Sequence, residues 1–185
     1  MDIIRAEAYY RKHKKPNDIP VDIEWKPNNW WRIGGQGTGN DVFEKRLDRD
    51  GENLNANYLN VGTGELNEYL KYSCKYPGTV LVEYNLMFKV NNLDKPTYVE
   101  HDICVGPKWG QEEKYHIREG YSDGRNGVMT IYRSQSVYVK AGDYISIDVN
   151  IGRDPYDPNF SAVIHPYHNS VYLDNFVSFT YLNKE

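Results

Sequence analysis

Surplus positive charge is missing from this 185-residue sequence: 22 lysines and arginines stand against 26 aspartates and glutamates, a formal net charge of −4. Proteins that grip nucleic acid by its phosphates carry a basic excess, so nucleic acid is not expected as the main partner. Long apolar runs are missing too. No stretch approaches the roughly 20 apolar residues that a membrane helix needs. The start, MDIIRAEAYYRKHKK, places acids among the first residues and no apolar run behind them, which reads as no secretory signal. Cysteine is scarce: Cys74 and Cys104 form no C-x-x-C or Cys/His spacing that would hold zinc, and without a secretory signal two reduced thiols are expected.

Catalytic signatures are equally sparse. His165 and His168 are the only close pair of histidines, and their i,i+3 spacing around Pro166 fixes no common facing geometry for a metal. Gly34-Gly-Gln-Gly37-Thr-Gly39 lacks the lysine of a phosphate-binding loop and reads as a flexible linker. No Ser/His/Asp or Cys/His set assembles from local sequence, so no enzymatic activity is expected.

Aromatic residues, in contrast, are abundant: 17 tyrosines, 5 phenylalanines and 4 tryptophans make up 14% of the chain, too many for a disordered protein. They divide the chain in two. Residues 1–58 read as an irregular N-terminal arm: a short helix capped by Asp2 and ended by Pro16, then a segment broken by Pro20, Pro27 and the glycines at 34–39. Trp25, Trp30 and Trp31 sit in that polar segment, where a simply disordered arm has no use for them. The arm is expected to order by docking onto its own body, a sister subunit or a larger assembly.

Residues 59–185 carry strand periodicity. From Thr79 to Val90, Val80, Val82, Tyr84, Leu86, Phe88 and Val90 share one face. At 144–151, Ile145, Ile147, Val149 and Ile151 oppose Tyr144, Ser146, Asp148 and Asn150. Shorter candidates lie at Tyr98–Val105, Lys114–Arg118, Val128–Arg133, Ser136–Val139, Phe160–Ile164 and Val171–Leu182, separated by turn pairs such as Asn126-Gly127 and Gly142-Asp143. Many short strands at this spacing predict an all-β sandwich or barrel.

Three segments in order resemble the C1q/TNF-like domain. Tyr72-Ser-Cys74-Lys-Tyr-Pro77-Gly78 is similar to the family's turn into a long strand. Ser136 through Gly142-Asp143 to Ile147 resembles its strand, Gly-Asp turn and strand. Ser170 to Phe179 is similar to its closing strand. No collagen-like Gly-X-Y repeat precedes them. The resemblance implies a jelly-roll sandwich of about ten antiparallel strands, a homotrimer, no catalysis and ligands bound through loops or subunit clefts.

By analogy of architecture, a trimeric head on a docking arm predicts a virion surface component: a capsid decoration, head fibre or receptor-binding head, attached to a capsid or other virion protein through Trp25, Trp30 and Trp31. The alternative is a carbohydrate-binding module of an adhesin, stacking a host glycan on Trp109 and Tyr156, with Tyr115 and Tyr121 nearby. No cofactor is expected; Asp154 and Asp157 in the Asp-Pro turns are the candidate oxygen ligands should calcium bind.

Overall fold

The computed structural model describes residues 5–10, 24–25, 30–33, 43–45, 59–60, 70–90, 96–108, 110–121, 127–153, 155–164 and 176–185. Among these residues thirteen strands run in chain order: β1 (Arg5–Tyr10), β2 (Glu24–Trp25), β3 (Trp30–Arg32), β4 (Phe43–Lys45), β5 (Leu59–Asn60), β6 (Lys71–Ser73), β7 (Gly78–Val90), β8 (Thr97–Gly106), β9 (Glu113–Tyr121), β10 (Val128–Val139), β11 (Tyr144–Gly152), β12 (Ala162–Ile164) and β13 (Phe176–Lys184).

They make two antiparallel sheets. In the first, β7 carries β10 along one edge and β13 along the other, with β1 and β4 beyond β13; β12 continues past β13 at the far end of β7 and pairs β2. The second sheet runs β5-β6-β11-β8-β9, and β3 lies beside β11 on the same edge as β6. From β7 onward the chain winds between the two: β7 in the first, the β8–β9 hairpin in the second, β10 back in the first, β11 in the second, then β12 and β13 in the first. Such crossing connections between two antiparallel sheets make the sandwich a jelly roll.

The period-2 pattern is the cause. Val80, Val82, Tyr84, Leu86, Phe88 and Val90 all point into the core, at 5% exposure or less. Phe179 of β13 stacks on Tyr72 of β6, centroids 4.9 Å apart and planes 11° from parallel, joining the two sheets at the centre. Two glycines fix turns. Gly142 adopts φ +91°, giving its N–H to Cys74 O (2.8 Å), while Asp143 Oδ2 accepts from Lys140 N at 2.8 Å. Gly78 has φ +144° and lies so close to β13 that a Cβ would stand 2.4 Å from Asn183 O.

Three expectations are corrected. The short N-terminal helix is a strand: Arg5–Tyr10 pairs with β13, in register from Arg5↔Thr180 to Tyr9↔Phe176. Helix-forming Ala and Glu yield there to an open sheet edge that needs partners. The arm also enters both sheets, through β1, β2, β3 and β4, where the sequence reading kept residues 1–58 outside the sandwich. Finally, the two short strands expected at 128–139 are one, paired with β7 from Val128↔Lys89 to Val139↔Gly78.

Candidate functional site

The outer face of the second sheet gathers most of the buried charge. Because opposed residues in a ladder share a face, the register sets two adjacent rows across β3, β11, β8 and β9: Arg32–Asp148–Asp102–His116, and Trp30–Asn150–Glu100–Arg118. A third row adds Ser146, Cys104 and Lys114. The polar face of β11 is therefore covered: Ser146, Asp148 and Asn150 are as buried as the isoleucines opposite.

Arg32 organises the cluster. Its Nε donates to Asp148 Oδ1 (2.6 Å), Nη2 to Asp148 Oδ2 (3.0 Å) and Nη1 to Glu112 Oε1 (2.8 Å). Burial works against its charge, but the hydrogen bonds and charge of Asp148, with Glu112, outweigh that and hold it above the ordinary arginine value. Glu112 in turn accepts from Gly110 N at 2.7 Å. His116 Nδ1 donates to Asp102 Oδ1 at 2.7 Å, and Lys114 Nζ lies 3.8 Å from Asp102 and 3.7 Å from Asp148. Cys104 donates to Asp148 Oδ2 at 3.4 Å; burial first and Asp148 second push its thiol up to about 12. Cys74 is pushed up to about 12 by burial and then Asp143, so both free cysteines stay protonated and unreactive at neutral pH.

A second cluster lies between the sheets at the side where β9 and β10 leave open edges. Arg133, in the core-facing register of β10, donates through Nη1 to Tyr115 O (2.7 Å) and His101 O (3.3 Å), and through Nε to Gln135 Oε1 (3.0 Å). A side chain thus ties the two edges together. The Tyr84 hydroxyl is hydrogen-bonded to His101 Nδ1, and Glu119 Oε2 lies 3.5 Å from His101 Nε2. Burial, then the guanidinium of Arg133, lowers the His101 pKa below its ordinary 6.5, against the pull of Glu119 and Asp102.

That direction sets a pH dependence. Above 6.5 the imidazole is neutral in both folded and unfolded chains; below it the unfolded chain takes a proton that the folded one resists. Stability therefore falls as pH drops through the unfolded value, by up to about 1.4 kcal/mol per pH unit for one proton. Urea unfolding between about pH 7 and pH 5 should show this slope in the parent and a flatter one in His101→Gln. Equal slopes would assign the acid sensitivity to other groups.

The expected site residues scatter. Trp30 is 45% exposed on the outer face of the second sheet. Trp31 lies in register with Val149, and Trp25 with Ala162. Tyr156 is 67% exposed, Tyr115 packs against the core, and Tyr121 ends β9. Asp157 accepts from Arg153 Nη1 and from Asn159 N, both at 2.9 Å, which engages both of its oxygens within its own turn. Trp109, Asp154, His165, His168 and the glycines at 34–39 lie outside the described residues. Among the described residues no group of three His, Cys, Asp or Glu side chains is placed to hold a metal ion. Sequence reading missed Arg32, Asp102, Asp148, His101 and Arg133; the one local signal was the unbroken polar row Ser146, Asp148, Asn150.

No family model matches the chain, and no curated protein matches it. Among solved structures it is similar to the Eiger TNF of S. frugiperda, at 10% identity over 99% of this chain and 94% of that one, with a TM-score of 0.49. It is likewise similar to murine APRIL at pH 5.0, at 13% identity over 98% and 100%, TM-score 0.49. It is the strand order described above that makes the chain a jelly roll.

Proposed function

We propose that the chain is a non-enzymatic, trimeric structural or adhesive protein carried on the surface of a virion. The observation that carries the trimer is the contrast between β9 and β10, each of which is an edge strand among the described residues. On β9 the outward side chains are Lys114, His116 and Arg118, exposed charges of the kind that keep a sheet edge from pairing with another chain. The longer edge β10 turns out Thr130, Tyr132, Ser134, Ser136 and Tyr138, with no charge among them. Tyr132 and Tyr138 are 59% and 50% exposed, and half-buried Leu81, Met87 and Phe176 continue the same face across β7 and β13. An aromatic edge strand with no outward charge of its own, flanked on β7 by Glu83, which accepts from Ser134 at 3.4 Å, suits burial against another copy, and a three-fold ring uses one such face per subunit. The resemblance of the sequence to C1q/TNF-like domains supports the number three. The virion location rests on analogy with the jelly-roll trimers that viral particles carry; residues 1–58 contribute β1–β4 to the sheets, so that segment docks at least in part on its own body.

Light scattering on the full chain should give the mass of a trimer, and Tyr132→Glu with Ser136→Lys should give a monomer with the parent's circular dichroism. A monomeric parent, or a charged variant that still forms trimers, would sink the interface. Antibodies to the chain should label the surface of purified particles from the source culture; label confined to the soluble fraction would remove the virion from the reading.

A further inference from the structure

The Trp30 indole leans across the second sheet. It starts on β3, yet its ring centroid is 6.0 Å from that of His116 on β9, two strands beyond β11, and Lys114 Nζ stands 5.8 Å from it. The ring thus lies over the buried carboxylates of the sheet face, held from beyond by a cation and an imidazole, while the residue remains 45% exposed. An aromatic surface fixed on a β-sheet has lost the freedom a loop residue keeps, so a ligand stacking on it meets a preformed site.

The polar rim around the ring carries both donors and acceptors. Arg118, whose side chain is 52% exposed, donates to Glu100 at 3.3 Å; His116 is 50% exposed and anchored on Asp102. Asn150 gives its Nδ2 hydrogen to Glu100 at 2.9 Å. Charges in the patch nearly cancel: Arg32, Lys114 and Arg118 stand against Glu100, Asp102, Glu112 and Asp148. Among the described residues of the patch there is no cationic surplus to attract an acidic polymer. What fits is a ring with an apolar face and a rim of hydroxyls that both give and accept hydrogen bonds.

We propose that Trp30, with His116, Arg118 and Glu100, forms a subsite for a neutral pyranose sugar. The indole takes the apolar face of the sugar ring, Glu100 accepts from adjacent hydroxyls, Arg118 donates to ring and hydroxyl oxygens, and His116, whose Nδ1 hydrogen is held by Asp102, accepts from a hydroxyl through Nε2. The site uses neither Trp109 nor Tyr156, and it lies on the opposite sheet from the proposed subunit interface.

Indole N–H signals of the full-length, isotope-labelled chain provide the test, with the Trp30 signal assigned by its loss in Trp30→Phe. Methyl β-galactoside, methyl β-glucoside, methyl α-mannoside and N-acetylglucosamine are titrated in turn, with sialyllactose and a heparin disaccharide as acidic comparators. At least one neutral sugar should shift the Trp30 signal saturably, and Trp30→Ala should weaken its binding about tenfold or more. Arg118→Met alters only a half-exposed surface side chain and should also weaken binding, which keeps the test independent of folding. A Trp30 signal unmoved by every neutral sugar, a response to the acidic sugars alone, or variants that bind as the parent does would each overturn the site.

Discussion

Replacing Arg32 by alanine is expected to lower the unfolding free energy by about 3–5 kcal/mol, the range for removing one partner of a buried ion pair. The side chains involved are almost wholly inside: 4% exposed for Arg32, 8% for Asp148 and 7% for Glu112. Without the guanidinium two carboxylates remain with little solvent, beside Asp102, whose own partners are Lys114 and His116. The loss comes mainly from stranding those charges, so removing them should restore much of it. The double variant Arg32→Met/Asp148→Leu is expected to be more stable than Arg32→Ala. Guanidinium unfolding of both variants and the parent decides this. A cost under about 1 kcal/mol for Arg32→Ala would mean the pair behaves as an exposed one.

Phe179→Ala is expected to cost about 3–5 kcal/mol, because the ring is fully buried and its space cannot close from both sheets at once. Its face lies on Tyr72 of the other sheet, and Tyr72 also contacts Tyr181, so the void opens where the layers meet. Thermal unfolding should fall by roughly 2–4 °C for each kcal/mol in a chain of this size. Phe179→Leu, which keeps most of the volume, should lose much less. If both substitutions cost the same, the stack rather than the filled volume would be what matters.

The fold was largely legible because it is written in period two. The inward row of β7 is unbroken over six residues, and the Gly142-Asp143 turn adopts the positive φ that the glycine predicts. β1 misled because Arg-Ala-Glu-Ala-Tyr-Tyr is a passable helix, and only the presence of β13, some 170 residues later, makes it a strand. β10 was split at Ser134-Gln135, two polar residues that look like a break after Arg133; Arg133 and Gln135 occupy core-facing positions, and the arginine spends its charge on backbone carbonyls and Gln135. The candidate site was hidden for a related reason. Arg32 and Asp148 are 116 residues apart, and a charged pair assembled by strand register leaves no local spacing to read. Trp30 drew notice as an arm residue, but the partners that give it a chemical meaning sit on three other strands.

The pairing of Arg5 with Thr180 also has a temporal meaning. A ribosome delivers β1 long before its partner β13, and the span between Arg32 and Asp148 alone takes on the order of ten seconds to synthesise. Until β13 emerges the first sheet lacks the strand that lies between β7 and β1, while β10, made before it, can already present its edge. The nascent chain is therefore most open to pairing with a neighbour between the emergence of β10 and that of β13, so assembly between copies made on one message competes directly with the docking of β13.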